Sequence, residues 1–350
     1  MPSGGYPPGT QAATVTAKIA LAGPGDTSVG VALNGNPATQ VSTTLHVKSP
    51  VTVPVGGTVS PLAWPADATG KHPPMAECYA SWEAEFGPDA AAKAYLHSFP
   101  TSLGQDGQLK GMQANGVAPV VCFGNLNFTD LHADQAAFIA SLQFLAATFP
   151  HGWIVFEQEP NTSVHFASAG PGWSSTAFVN LSKARYADVR NTLDRAKWPV
   201  LFCPSTGGTY QSVTTWYPGP EGCDGIAPDH YCGAGGSAKA MPAFQLAAQH
   251  CAADKLPAGV GWLEIGVTAS NIVPAASLVE QMLVDAASFF AARATAQLPC
   301  APVCWWNGPM MQAGQVTAGH NTIYPASWGN PLGPALVPAW KKLIATLAAV

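Results

Sequence analysis

The stretch GWIVFEQEPN, residues 152 to 161, begins as a short apolar run of the kind that forms a fully buried strand. It then sets Glu157 and Glu159 on either side of Gln158 before Pro160 stops the run. A carboxylate at the end of a buried strand loses hydration, so it must be paired, hydrogen-bonded or used. Seven other runs share the rhythm: TVSPLAW (58–64), KAYLHSF (93–99), APVVCFGN (118–125), WPVLFCPS (198–205), DGIAPDHY (224–231), GWLEIGV (261–267) and APVCWWNG (301–308). Between them lie longer segments with apolar residues at helical spacing, such as DQAAFIASLQFLAATF (134–149), TAFVNLSKARYADVRNTLDRA (176–196) and AASLVEQMLVDAASFFAARATA (275–296).

Eight strand–helix units predict an α/β fold, a (β/α)8 TIM barrel, over residues 56–350. The first fifty-five residues differ. ATVTAKIAL, SVGVALNGN and VSTTLHV are short and rich in Val and Thr, with Gly, Pro, Asn and Asp between them. They predict strands joined by turns, and KSPVTVPVGG predicts an extended connector, so residues 1–55 are expected to form a β-rich extension and linker.

Composition narrows the function. Of 350 residues, 47% are hydrophobic and 10% charged, and the net charge is −5. The four arginines fall in two helical segments, with Arg185, Arg190 and Arg195 in one and Arg293 in the other. Nucleic-acid binding needs a concentrated basic surface, so no nucleic-acid partner is expected, and a strongly anionic substrate is disfavoured. No run of about eighteen consecutive apolar residues predicts a membrane span. The opening MPSGGYPPGTQAATVTAK lacks a basic region followed by an apolar core and does not read as a signal peptide. The expected location is extracellular or virion-associated. Eight cysteines, at 78, 122, 203, 223, 232, 251, 300 and 304, form no C-x-x-C pair or zinc-type cluster. Cys122, Cys203 and Cys304 lie in strand-like runs and read as buried thiols; Cys223, Cys232, Cys251 and Cys300, near loops, have the freedom to pair. No metal and no cofactor are expected.

In such a barrel the chemistry sits where strands end and the following loops begin. His97 ends the second run, Asn125 the third and Glu159 the fourth. Asp229, His230 and Tyr231 end the sixth, Glu264 the seventh, and Trp305, Trp306 and Asn307 the eighth. Two carboxylates, from strands four and seven, are thereby expected to face each other across the mouth. That suits retaining glycoside hydrolysis, in which one carboxylic acid protonates the leaving oxygen and the other attacks the anomeric carbon. Structural readings compete at each position: carboxylates in ion pairs, a structural tyrosine at 231, packing tryptophans at 305 and 306, satisfied histidines at 97 and 230, and loop-forming asparagines at 125 and 127. Lysines and arginines are scarce in the neighbouring segments, which weakens the ion-pair reading. Trp153, Trp198 and Trp262 begin strands and read as core.

Three of these motifs together resemble clan A glycoside hydrolases, and within them family 26, the β-mannanases and related endo-glycanases. QEPN (158–161) is similar to the family's His-Glu-x-Asn at the end of strand four and to the clan's Asn-Glu-Pro. DGIAPDHY resembles its Asp-x-x-Gly-x-Asp-x-Tyr at strand six, and LEIG (263–266) its Glu-x-Gly at strand seven. The resemblance spans most of the barrel. It implies Glu159 as acid/base, Glu264 as nucleophile, and Tyr231 as a hydrogen-bond donor that orients Glu264. The indoles of Trp305 and Trp306 suit a sugar platform, with one facing the site. Gln158 stands where a His or Asn is usual, Ala227 where the family has Gly, and no arginine ends the early strands, where His97 is the comparable polar group. Gln158, Tyr231, His230, Trp305, Trp306, Glu157, His97 and Asn125 are the candidate substrate-binding or orienting residues.

Glu157 shares parity with Glu159 in an extended strand. Three readings stay open for it: a like charge that raises the pKa of the acid, a structural carboxylate inside the barrel, or the acid itself. The function expected from all of this is a monomeric, retaining, endo-acting hydrolase of a neutral polysaccharide. Its rivals are another clan A activity, of xylanase, glucanase or arabinanase type, and a non-catalytic carbohydrate-binding or virion or cell-wall component.

Overall fold

The computed structural model describes residues 25–31, 41–47, 57–60, 91–96, 98–124, 126–162, 172–206, 211–232, 241–267, 276–306, 310–312 and 315–317, with positions 338, 342, 343 and 345. The chain divides into two compact units, Met1–Thr52 and Val53–Val350. In the first, β1 (Gly25–Val31) pairs antiparallel with β2 (Val41–Val47). The strand expected at 13–21 lies outside the described residues.

The second unit is a (β/α)8 barrel. Its parallel strands are β3 (Gly57–Ser60), β4 (Ala91–Leu96), β5 (Ala118–Phe123), β6 (Trp153–Phe156), β7 (Val200–Phe202), β8 (Gly225–Ile226) with β9 (Asp229–Cys232), β10 (Gly259–Val267) and β11 (Cys300–Trp306). Each pairs with the next, and the ring closes because β11 pairs with both β10 and β3. All eight expected runs become barrel strands. The sixth comes in two pieces: β8 and β9 both run along β10, and Pro228 between them has no N–H for the ladder. Around the ring lie α1 (Gly107–Ala114), α2 (Gln135–Thr148), α3 (Ser175–Thr192), α4 (Gln211–Trp216), α5 (Met241–Ala253) and α6 (Ala276–Thr295). A short hairpin, β12 (Met310–Gln312) and β13 (Gln315–Thr317), follows β11.

The strands read as continuous apolar runs because both faces are buried. Val120 and Cys122, Trp153 and Val155, and Leu201 and Cys203 point into the barrel, where they form one cluster with Ala227, Leu263 and Cys304. The alternate residues Val121, Phe123, Ile154, Phe156, Val200 and Phe202 face outward. They pack with Phe138, Leu142 and Leu145 of α2 and Phe178, Leu181 and Val189 of α3. Those helical positions recur at three- and four-residue steps, which gives each helix one buried face. Helix α3 starts where the Ser174 hydroxyl accepts from the Ala177 N–H at 3.1 Å, and α1 starts where Asp106 accepts from Gln108 and Leu109. At Gly152, which opens β6, a Cβ would lie 2.6 Å from both the Pro119 carbonyl oxygen and the Trp198 ring. Only glycine lets these neighbours approach.

The lower rim is tied by Asp224, which is fully buried. It accepts from Tyr186 Oη at 2.7 Å, Arg195 Nε at 2.5 Å and the Val200 N–H at 2.7 Å, with Arg190 Nη1 at 3.8 Å. The upper half of β10 carries irregularities. Against β11, three residue steps from Trp262 to Ile265 match two steps from Val303 to Trp305. One extra residue on a strand bends it and re-aims a side chain. Trp262 packs outward among the helices, Leu263 packs inward, and the extra residue brings Glu264 inward as well, beside Asp229 of β9.

Cys122, Cys203, Cys223, Cys251, Cys300 and Cys304 are buried thiols. Among the described residues no helix is long and apolar enough to cross a membrane.

Candidate active site

The quoted stretch leaves the strand at Phe156. Glu157 (φ 44°) and Glu159 (φ 51°) both adopt the left-handed conformation, which L-residues with long side chains avoid. Strain of this kind costs about 1–3 kcal/mol per residue and persists only where surrounding contacts enforce it. Those contacts are present on both flanks. The Glu157 N–H donates to the Phe123 carbonyl at 2.8 Å and the Glu159 N–H to the Cys203 carbonyl at 2.9 Å, so the turn bridges β5 and β7. Asn161 exchanges two hydrogen bonds of 2.8 Å with the backbone of Ser205. The Pro160 carbonyl accepts from Trp173 Nε1 at 3.1 Å, and the Glu159 carbonyl from the Thr162 N–H at 3.0 Å. The turn departs from extended geometry, so the strand parity of Glu157 and Glu159 does not carry past Phe156.

Glu264 lies on β10 beneath two phenols. Tyr95 Oη donates to Oε1 at 3.0 Å, and Tyr231 Oη donates to Oε2. Glu264 is 3% exposed. Burial, then the charge of Glu264, pushes both tyrosines well above the ordinary value, so both stay protonated donors. The negative charge of Glu159 adds a smaller upward push on Tyr231.

Gln158 and Asp229 form the polar floor beside them. Gln158 Nε2 donates to Asp229 Oδ2 at 2.5 Å, and Cys203 Sγ donates to Oδ1 at 3.1 Å. Asp229 is fully buried and pairs in register with Glu264.

His230 turns to the other face of its strand. Its Nδ1 meets Thr206 Oγ1 at 2.6 Å and its ring lies 6.2 Å from Trp262, in the layer packed by the helices. The structure does not bring it to the carboxylates. For Trp305 and Trp306 it describes the backbone, with Trp305 beside Ile265 and Val59. His97, Asn125 and Asn307 lie outside the described residues. Sequence reasoning missed Tyr95 and the role of Asp229. Counting alternate residues inward from Ala91 reaches Tyr95, which packs with the barrel interior, whereas the run KAYLHSF points to the polar His97 at its end. Among the described residues no group of His, Cys, Asp or Glu is arranged to hold a metal.

Glu157 is 6% exposed, and its Oε1 accepts from the Leu126 N–H at 2.6 Å. Burial raises its pKa from 4.5 to about 7, against the lowering effect of that hydrogen bond. A carboxyl raised on folding stabilises the native state at acid pH, and that contribution is lost as pH climbs from about 4.5 through about 7. Glu157→Gln keeps an acceptor for Leu126 and removes the titration. The variant is expected to lose, relative to wild type, a pH-dependent difference on the order of 3 kcal/mol between those limits. Urea unfolding of both proteins at pH 5 and pH 8 measures it; parallel changes in the two would show that Glu157 titrates normally.

No family model matches the sequence, and no curated protein matches it. Solved structures do. A structure from work on two fungal β-1,4-galactanases has 12% identity and a TM-score of 0.54, covering 83% of this chain and 99% of that one. A GH5 xyloglucan-specific β-1,4-glucanase from a ruminal metagenomic library has 11% identity and a TM-score of 0.50, covering 84% and 94%. A modular endo-β-1,4-mannanase from Cellulomonas fimi, described with the glycoside hydrolase family 26 mannanases, has 17% identity and a TM-score of 0.44 over 68% of this chain, which spans 56% of that protein's length. The likeness to the first two is one of fold.

Proposed function

We propose that this chain is a retaining, endo-acting glycoside hydrolase that cleaves a neutral polysaccharide by double displacement. Residues 56–350 form its catalytic barrel and residues 1–55 a β-rich extension. The observation that carries the reading is the setting of Glu264, a buried carboxylate at the upper end of a barrel strand. It is held by two phenols and shares one of them electrostatically with Glu159.

In the first step a Glu264 oxygen bonds to the anomeric carbon while the bond from that carbon to the leaving oxygen breaks, and Glu159 gives its proton to that oxygen. In the second, water attacks the same carbon and Glu159 takes a proton from it. The ester bond breaks and its electron pair returns to Glu264. Gln158 commits its amide nitrogen to Asp229, and its buried Oε1 has no protein partner among the described residues.

The test is a reducing-end assay on mannan, β-1,4-galactan, xyloglucan, xylan, mixed-linkage glucan and arabinan, with NMR of the first anomer formed. The expected result is release from at least one, with the anomeric configuration kept. An inverted product would remove the nucleophile role from Glu264. Binding of a glycan without release from it would instead make the chain a carbohydrate-binding protein.

A further inference from the structure

We propose that Tyr95 is a positioning residue for the nucleophile, acting chiefly on the second half of the reaction, when Glu264 must leave the sugar. The inference rests on the assignment of Glu264 above. Tyr95 and Tyr231 reach Glu264 from opposite sides of the ring, β4 and β9, and each donates to a different oxygen. Tyr95 projects from the barrel interior, where it packs with residues of several strands. Its hydroxyl is thus set by the scaffold itself, whereas a long loop side chain would have rotamer freedom to lose. A phenol donor differs from a guanidinium. It anchors one oxygen through one hydrogen bond and adds no formal charge.

The chemical consequence is asymmetric. A hydrogen bond to a carboxylate is stronger than one to an ester oxygen. When Glu264 becomes an ester it loses its charge, and the Tyr95 bond weakens. When the ester breaks, the C–O electron pair returns to the Glu264 oxygens and the bond strengthens again. The donor therefore stabilises the carboxylate as a leaving group in deglycosylation, while in glycosylation it holds an attacking oxygen in line at the expense of some nucleophilicity. Removing it should slow the second step more than the first, and the glycosyl-enzyme should accumulate.

Tyr95→Phe keeps the ring that packs in the barrel and removes only the hydroxyl. The kinetic probes are 2,4-dinitrophenyl β-mannobioside, β-cellobioside and β-galactobioside, using whichever the wild type turns over. The expected result is a kcat about 10- to 100-fold lower, the range for a hydrogen bond to a charged group, with KM lowered in parallel. A burst of dinitrophenolate close to one equivalent and a glycosylated protein in the intact mass spectrum should accompany it. A structural defect has no reason to lower KM or trap an ester. Wild-type kinetics, or a lowered kcat with unchanged or raised KM and no burst, would overturn the proposal.

A second measurement needs no substrate. The infrared difference between wild type and Glu264→Gln isolates the Glu264 carboxylate stretch. The same difference taken in the Tyr95→Phe background should show it shifted, and coincident bands would mean that Tyr95 does not hold Glu264. If the wild type hydrolysed no glycan and no aryl glycoside, the functional reading would fail, and the leaving-group role of Tyr95 with it. A shifted band in that case would leave the hydrogen bond intact and locate the failure in the reaction assigned to Glu264.

Discussion

Glu264→Gln is expected to reduce glycan release by roughly 10^4- to 10^6-fold, the scale on which loss of a nucleophile acts. The change is nearly isosteric, so the protein should fold. An amide oxygen is a poor nucleophile, and its nitrogen cannot accept the hydrogen bond that a carboxylate oxygen accepts from Tyr95 or Tyr231. One phenol then faces a donor, which adds a small loss of stability. Retained binding of an oligosaccharide by calorimetry, together with lost release, is the decisive combination. Release above about one hundredth of wild type would remove Glu264 from the chemistry.

Asp224→Ala should be the most damaging of the substitutions considered for stability, by about 3–5 kcal/mol, because it strips a buried charge network of its acceptor. Arg190 lies half-buried beneath the barrel, and burial lowers its pKa while Asp224 raises it. Without the carboxylate, that guanidinium, the Tyr186 hydroxyl and the Val200 N–H all lose a partner. Asp224→Asn keeps one oxygen and is expected to lose less. Asp224 precedes β8, at the end of the barrel away from the site, so kcat of the folded fraction should not change. Urea unfolding followed by tryptophan fluorescence reads the first quantity, and kcat at a temperature where the variant is folded reads the second. A loss under 1 kcal/mol would mean that Arg190 and Arg195 find water or other acceptors.

The barrel was legible because its strands are buried on both faces, and continuous apolar runs such as APVVCF and WIVF have few other uses. The position of Glu159 just past β6 was legible from where its run ended. What alternation could not supply was geometry that breaks alternation. Strict parity from Trp262, which packs outward, sends Leu263 inward and Glu264 outward again. The extra residue on β10 reverses that, and no sequence period encodes it. The left-handed backbone at Glu157 and Glu159 is equally silent, because it is imposed by bonds to Phe123, Cys203 and Ser205 rather than by a permissive residue. Tyr95 is within reach of the same alternation that marks the core, but it lies inside its run, two residues before the polar His97.

The closure of the ring has a consequence in time. One edge of β3 pairs with β4, which follows it closely, but the other pairs only with β11, about 240 residues later. At typical synthesis rates of about 5–20 residues per second, a nascent chain carries that second edge unpaired for roughly 12–48 s. Within that interval, while residues 160–263 are being made, Tyr95 and Glu159 have been synthesised and Glu264 has not. An unpaired parallel edge is a template for another chain. Expression conditions that slow elongation or crowd ribosomes on one message should therefore raise the aggregated fraction, whatever the stability of the finished barrel.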